Sequence, residues 1–245
     1  MDEQTGMTDE YKKAKKMSII AVVLIVLAFS CLIVAALSQY SDKFNTTYLP
    51  VIVIGFFGGN IAALILIGKA YPALLAADCM RMDARYEKQE PVRILLAAQE
   101  LLAQTFADNK FKYMEEGYYR RKKFSFLKDS VCYYVRMTED IEAQNALRRE
   151  VERLYQAGKK DKNLCMLLFV YMDEVGEREI KDIKEIGKSN IVVESVINPN
   201  ISLTVLVIAV DRRDNKGYYM EIGRHGRLTL YSYGCRMLRK MFTYE

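Results

Sequence analysis

MSIIAVVLIVLAFSCLIVAAL, residues 17–37, and LPVIVIGFFGGNIAALILIG, residues 49–68, decide the architecture of this 245-residue chain. The first run holds 21 residues without a charge. As a helix rising 1.5 Å per residue it is about 31 Å long, enough for a hydrocarbon core of about 30 Å. The second is an uncharged run of 20 residues. Only a helix satisfies its backbone polar groups within one such segment. The 11 residues between them, SQYSDKFNTTY, allow a tight antiparallel hairpin. A cleaved signal peptide is the competing reading of the first run. Its apolar region exceeds the roughly 7–15 residues of a signal, and a second span follows at once.

Charge sets the expected orientation. Lys12, Lys13, Lys15 and Lys16 precede the first run, Lys69, Arg81, Arg85 and Lys88 follow the second, and the connecting loop holds only Lys43. Basic flanks stay in the cytoplasm, so a multi-pass protein of the cell (plasma) membrane is expected, with both termini cytoplasmic. The expected organisation is a cytoplasmic tail over 1–16, membrane helices over 17–37 and 49–70, an external loop over 38–48, a juxtamembrane connector over 71–91 bounded by Pro72 and Pro91, and a cytoplasmic domain over 92–245. Gly55, Gly58, Gly59 and Asn60 in the second span are candidates for helix packing. Small residues let backbones approach closely and an amide can bond between helices. The partners expected are the lipid bilayer and either a protein partner or a second copy meeting the hairpin.

Outward from the hairpin the composition changes. Six of the 36 basic and five of the 31 acidic residues precede Tyr71, which leaves 30 against 26 in the remainder. Such mixed charge is a solvated surface and makes nucleic acid an unlikely partner. The five cysteines are widely spaced without a C-x-x-C pair, as in a reducing compartment. VRILLAAQELLAQTF (92–106) reads as a helix. DNKFKYMEEGYYRRKKFSFLKDS reads as a hairpin or irregular strand pair, and VCYYVRM (131–137) as a strand. Residues 138–158 read as a helix capped by Thr138 or Asp140 and ended by Gly158. LCMLLFVYM (164–172) is apolar throughout, so it reads as a strand buried on both faces. A short helix over 177–187, strands over 191–197 and 202–210, a hairpin return to Ile222 and a final helix complete the pattern. The fold class expected is a membrane-anchored α/β protein, its cytoplasmic domain a mixed sheet covered by helices in two or three layers.

Candidate chemistry is thin. Asp173 and Glu174 follow the buried strand and Asp211 ends the next strong one. Open α/β sheets place ligands at the carboxyl ends of parallel strands, so these acids are the candidates for a divalent cation and hydrolysis, as in a nuclease or phosphoesterase. Acids that merely solvate strand ends are the plainer reading. His225, the sole histidine, is a weak candidate for a general base in a turn. No phosphate-binding glycine loop occurs, which argues against a P-loop NTPase or Rossmann dehydrogenase, and no cofactor or metal is expected. Arg120, Arg121, Lys122 and Lys123 form the densest basic cluster. It suits an anionic lipid surface, or nucleic acid with tyrosines stacking on bases, or a strand edge guarded by charge. The reading that results is a membrane-anchored interaction or regulatory protein, non-catalytic, with the tethered metal-dependent hydrolase and the basic-patch binder as alternatives.

Overall fold

The computed structural model describes residues 2–37, 48–97, 99–114, 117–125, 129–139, 142–157, 161–197, 202–222 and 229–245. Asp140, Gly158 and His225 lie outside these. The chain forms two compact units, Met1–Arg81 and Met82–Glu245.

The first unit is a pair of helices, α1 (Asp2–Leu37) and the larger part of α2 (Leu49–Glu87). Both are long and apolar enough to cross a membrane. Helix α1 starts well before the apolar run, and α2 continues through Pro72 to Glu87, so most of the expected connector is helix. The buried side chains of this unit are almost all alanine: Ala14, Ala21 and Ala28 on α1, and Ala63, Ala70 and Ala77 on α2. A spacing of seven is the signature of a left-handed helix pair, and small side chains on the seam bring the backbones close. Residue 59 lies on this seam, where a Cβ would reach ordinary contact distance, 3.4 Å from the Ala28 Cβ and 3.7 Å from the Leu24 carbonyl oxygen. Phe29 and Phe56 meet edge to face at 5.7 Å, and Arg81 stacks over Tyr11 at 4.5 Å. The larger apolar side chains, among them Ile20, Val26, Ile33, Ile54, Phe57 and Leu64, point outward.

The second unit is an α/β domain built on an eight-stranded mixed sheet. Its elements are β1 (Val92–Leu95), α3 (Gln99–Asp108), β2 (Lys112–Tyr113), β3 (Tyr119–Ser125), β4 (Asp129–Thr138), α4 (Ala143–Ala157), β5 (Leu164–Met172), α5 (Glu177–Val192), a π-helical turn (Val193–Ile197), β6 (Leu203–Asp211), β7 (Lys216–Tyr219), α6 (Leu230–Met241) and β8 (Thr243–Tyr244). The strand order is β2-β3-β4-β5-β6-β7-β1-β8. Strands β4, β5 and β6 are parallel and the outer pairings are antiparallel.

Every residue of β5 is buried, as its continuous apolar run requires. Alternation sends Cys165, Leu167, Phe169 and Tyr171 into a core shared with α3 and α6. It sends Met166, Leu168, Val170 and Met172 into a second core shared with α4 and α5. Helices thus cover both faces in three layers.

Three expectations are corrected and one strand is added. Residues 92–106 split into β1 and α3, because Val92–Leu95 pairs with β7 and buries Ile94 between strands. A short apolar run carries either period, and the partner strand decides. Helix α4 begins at Ala143 rather than near Thr138, which is the last residue of β4 and pairs with Val170, so it cannot cap. Residues 191–197 are not a strand. They finish α5 and form the π turn, which aims the buried Glu194 carboxylate at the first turn of α6, where it accepts from the Leu230 and Tyr231 amides, the latter at 2.8 Å. Beyond the final helix, Thr243–Tyr244 adds an edge strand on β1.

Candidate functional site

Parallel strands give the sheet two chemically distinct ends. At the carboxyl end Met172 of β5 lies beside Asp211 of β6, so the three candidate acids do reach one edge. They do not converge. Asp211 is buried, its Oδ2 accepting from the Val175 amide at 3.0 Å and its Oδ1 from the Arg213 amide at 2.8 Å. It ties down the turns that leave both strands. The Asp173 side chain is 95% exposed and meets Arg212 at 3.4 Å. Glu174 meets Arg213 at 2.5 Å, and Arg212 also holds Glu139 at 2.7 Å. A shallow cleft of about 250 Å³ lies among Glu139, Tyr171, Asp173, Glu174, Glu179 and Arg212. Among the described residues no group of three His, Cys, Asp or Glu side chains is placed to hold a metal ion.

The amino end holds the larger opening, a cleft of about 620 Å³ between α4 and α5. Its walls are Leu147, Val151 and Tyr155 of α4, Asn190 of α5, Val193 of the π turn, and the first residues of β5 and β6. Helix α4 is strongly two-sided, with Ala146 and Leu154 turned into the core and Arg148, Arg149 and Glu152 into solvent. The half-buried Leu147 and Val151 between these faces supply the apolar wall. One carboxylate stands in the lining, that of Asp161. Its carboxylate accepts two hydrogen bonds from Arg120 Nη2, at 2.9 and 3.0 Å, and one from the Tyr134 hydroxyl at 2.7 Å. Burial pushes this carboxyl up, but the bonds from Tyr134, Cys132 and Arg120 outweigh it and hold the group below the usual aspartate value. Burial, with Asp161 alongside, pushes the Cys132 thiol up to about 11.

The basic cluster of β3 is parted by strand geometry, since successive side chains point to opposite faces. Arg120 turns to Asp161 on the α4 face. Arg121 turns to the other, where its Nη1 donates to the Asn109 carbonyl at 2.7 Å. Lys122 and Lys123 remain exposed. In the helix pair, Gly59 packs on Ala28, whereas a Cβ at Gly55 or Gly58 would meet nothing within 4 Å. The Asn60 amide donates to Phe56 of its own helix at 2.8 Å.

Sequence reasoning missed Asp161, whose partners Arg120 and Tyr134 come from strands that only the fold brings alongside. It also missed Glu194, although one acid inside the apolar IVVESVI was a legible sign of a buried cap. No family model, no curated protein and no solved structure matches this chain.

Proposed function

We propose that the chain is a two-pass membrane-anchored protein that displays its α/β domain in the cytoplasm as a non-catalytic binding module. The observation that carries the anchoring is the inverted packing of the first unit. Alanines fill its seam while Ile20, Val26, Ile33, Ile54 and Leu64 face out, an arrangement stable against lipid and costly against water. The lysines before the first apolar run and the basic residues after the second support cytoplasmic termini. Binding rather than chemistry is supported by the pairing of Asp173, Glu174 and Asp211 with Arg212, Arg213 and backbone amides. The open 620 Å³ cleft at the other end of the sheet is of ordinary ligand-site size.

The test has two parts. The chain should resist alkaline carbonate extraction from membranes. A cysteine at Ser41 should react with an impermeant maleimide from outside, and one at Glu245 only after permeabilisation. Extraction by carbonate, or the reverse labelling, refutes the anchoring. A photoreactive residue at Tyr155 should then give one discrete adduct in intact membranes, lost when Leu203→Trp fills the cleft. An adduct pattern indifferent to Leu203→Trp refutes the cleft as the binding face. Self-association through the hairpin is a second reading, favoured by the open backbone at Gly55 and Gly58, which a helix of another hairpin can approach closely.

A further inference from the structure

The end of the domain at which α2 enters is also the end from which a basic, aromatic hairpin projects. Helix α5 runs from the carboxyl end of the sheet, where Glu179 borders the cleft beside Met172, to the amino end, where the Asn190 amide donates to the Val205 carbonyl at 2.9 Å. Lys188, late in α5, pairs with Asp83 at 3.4 Å and Glu87 at 3.0 Å, while the earlier Lys184 pairs with Glu90 at 3.1 Å. Residues 83–90 therefore run against α5, away from the amino end, so the chain preceding Met82 arrives at that end.

The strand registers show what else is there. Strand β5 starts at Leu164, opposite Cys132 on one side and Leu203 of β6 on the other. Three further rows of the β3–β4 ladder, Lys123↔Val131, Phe124↔Ser130 and Ser125↔Asp129, lie beyond that line. At about 3.3 Å per residue they project roughly 10 Å past the sheet. Phe124 on this projection is 76% exposed, one of the most exposed large apolar side chains of the domain. Lys122 and Lys123 precede it, exposed and without an ion-pair partner among the described residues. By contrast Arg120 and Arg121 of the same strand are already engaged. Met82 is fourteen positions beyond Gly68. Those fourteen steps rise at most about 21 Å as helix, and a headgroup layer occupies about 5–7 Å of such a gap.

We propose that Lys122, Lys123 and Phe124 form a contact with the anionic headgroup layer of the bilayer that holds the chain's own helices. The lysines meet lipid phosphate and the phenylalanine ring enters the interface. This rests on the anchoring proposed above. The contact would hold the domain against the membrane at a point remote from α2, since β3 and β1 are separated by four strands in the sheet.

The chain has no tryptophan, so Phe124→Trp in the full-length protein gives a single reporter. Ile20→Trp, among the outward side chains of α1, reports insertion, and Asp173→Trp, at the far end of the sheet, reports water. Each is placed in nanodiscs of phosphatidylcholine with or without phosphatidylglycerol, with a spin-labelled lipid bearing its label near the headgroup as quencher. Phe124→Trp should emit at shorter wavelength and be quenched in the anionic discs, and Asp173→Trp in neither. Each lysine changed to Gln should weaken the Phe124→Trp response about fivefold, the equivalent of about 1 kcal/mol per charge near an anionic surface. Quenching of Ile20→Trp with none of Phe124→Trp overturns this inference and leaves the anchoring intact. No quenching of Ile20→Trp removes both. Quenching of Phe124→Trp only by labelled vesicles added to unlabelled discs overturns the assignment to the chain's own bilayer.

Discussion

A soluble fragment begun at Pro91 keeps every described strand and helix of the α/β domain except the end of α2, yet it should be much less stable than one begun at Met82. Tyr86, in the last turn of α2, is 1% exposed and belongs to the core shared with α6, together with Tyr219, Met220 and Tyr231. Deleting a buried aromatic side chain costs about 3–5 kcal/mol. The Gln89 amide donates to the Glu221 carbonyl at 2.6 Å, a further loss of about 1 kcal/mol. The pairs of Lys188 with Asp83 and Glu87 are screened by solvent and add little. The deficit of about 4–6 kcal/mol is a large part of the 5–15 kcal/mol that stabilises an ordinary domain. With a slope of about 2 kcal/mol per molar urea, the midpoint should fall by about 2–3 M, if the shorter fragment folds at all. Urea unfolding of the two fragments, followed by far-UV circular dichroism, is the assay. In the longer fragment Tyr86→Ala should reproduce most of the loss, whereas Tyr86→Phe keeps the ring and should cost about 1 kcal/mol. Equal midpoints for the two fragments would refute the reasoning, because the last turn of α2 would then be a tether and no part of the core.

Three further outcomes are expected. Glu194→Ala leaves two buried amides of α6 without their acceptor and should cost about 3 kcal/mol or more in urea unfolding, while Glu194→Gln, which retains an acceptor, should cost about half that. Asp161 binds its proton more weakly folded than unfolded. Its contribution to stability is therefore complete above the ordinary value of 3.8 and drains away as pH falls below it, so the acid limb of the stability profile should flatten in Asp161→Asn, and an unchanged limb would place the acid sensitivity elsewhere. Asp211→Asn should lower stability by about 1–3 kcal/mol equally with and without Mg²⁺ or Mn²⁺, since the carboxylate binds two backbone amides; a metal-dependent rise in melting temperature, lost in this variant, would restore the hydrolase alternative.

The parts of the fold legible in the sequence are those in which burial alone decides conformation. LCMLLFVYM has no polar face to turn to water, and a nine-residue run of that kind can only be a central strand or a buried helix. Its β-branched and aromatic content, with Asp161–Asn163 before it and Asp173 after it, favours the strand. Legibility failed where a distant partner decides. VRIL is a strand because β7 and β8 accept it, and VESVI is a turn because Glu194 is drawn to the amides of α6, 36 positions along the chain. The alanine seam failed for a different reason. In a helix that is apolar all round, hydrophobic contrast vanishes, and the informative pattern is side-chain size at every seventh residue, Ala14, Ala21 and Ala28 against Ala63, Ala70 and Ala77.

The candidate site was harder still, because the general rule for α/β sheets points to the carboxyl ends of the parallel strands, whereas the larger of the two clefts lies at their amino ends. Ligands sit at the carboxyl ends of parallel strands when loops there splay apart at a switch in strand order. Here β4, β5 and β6 lie in sequential order with no switch between them. The β6–β7 turn folds straight back at the carboxyl end, its Asp211 bonded into the β5–α5 turn, and Arg212 and Arg213 pair with Asp173 and Glu174 at the surface. Space opens instead at the amino end, where α4 and α5 diverge above the first residues of β5 and β6, where α2 enters, and where the β3–β4 hairpin projects.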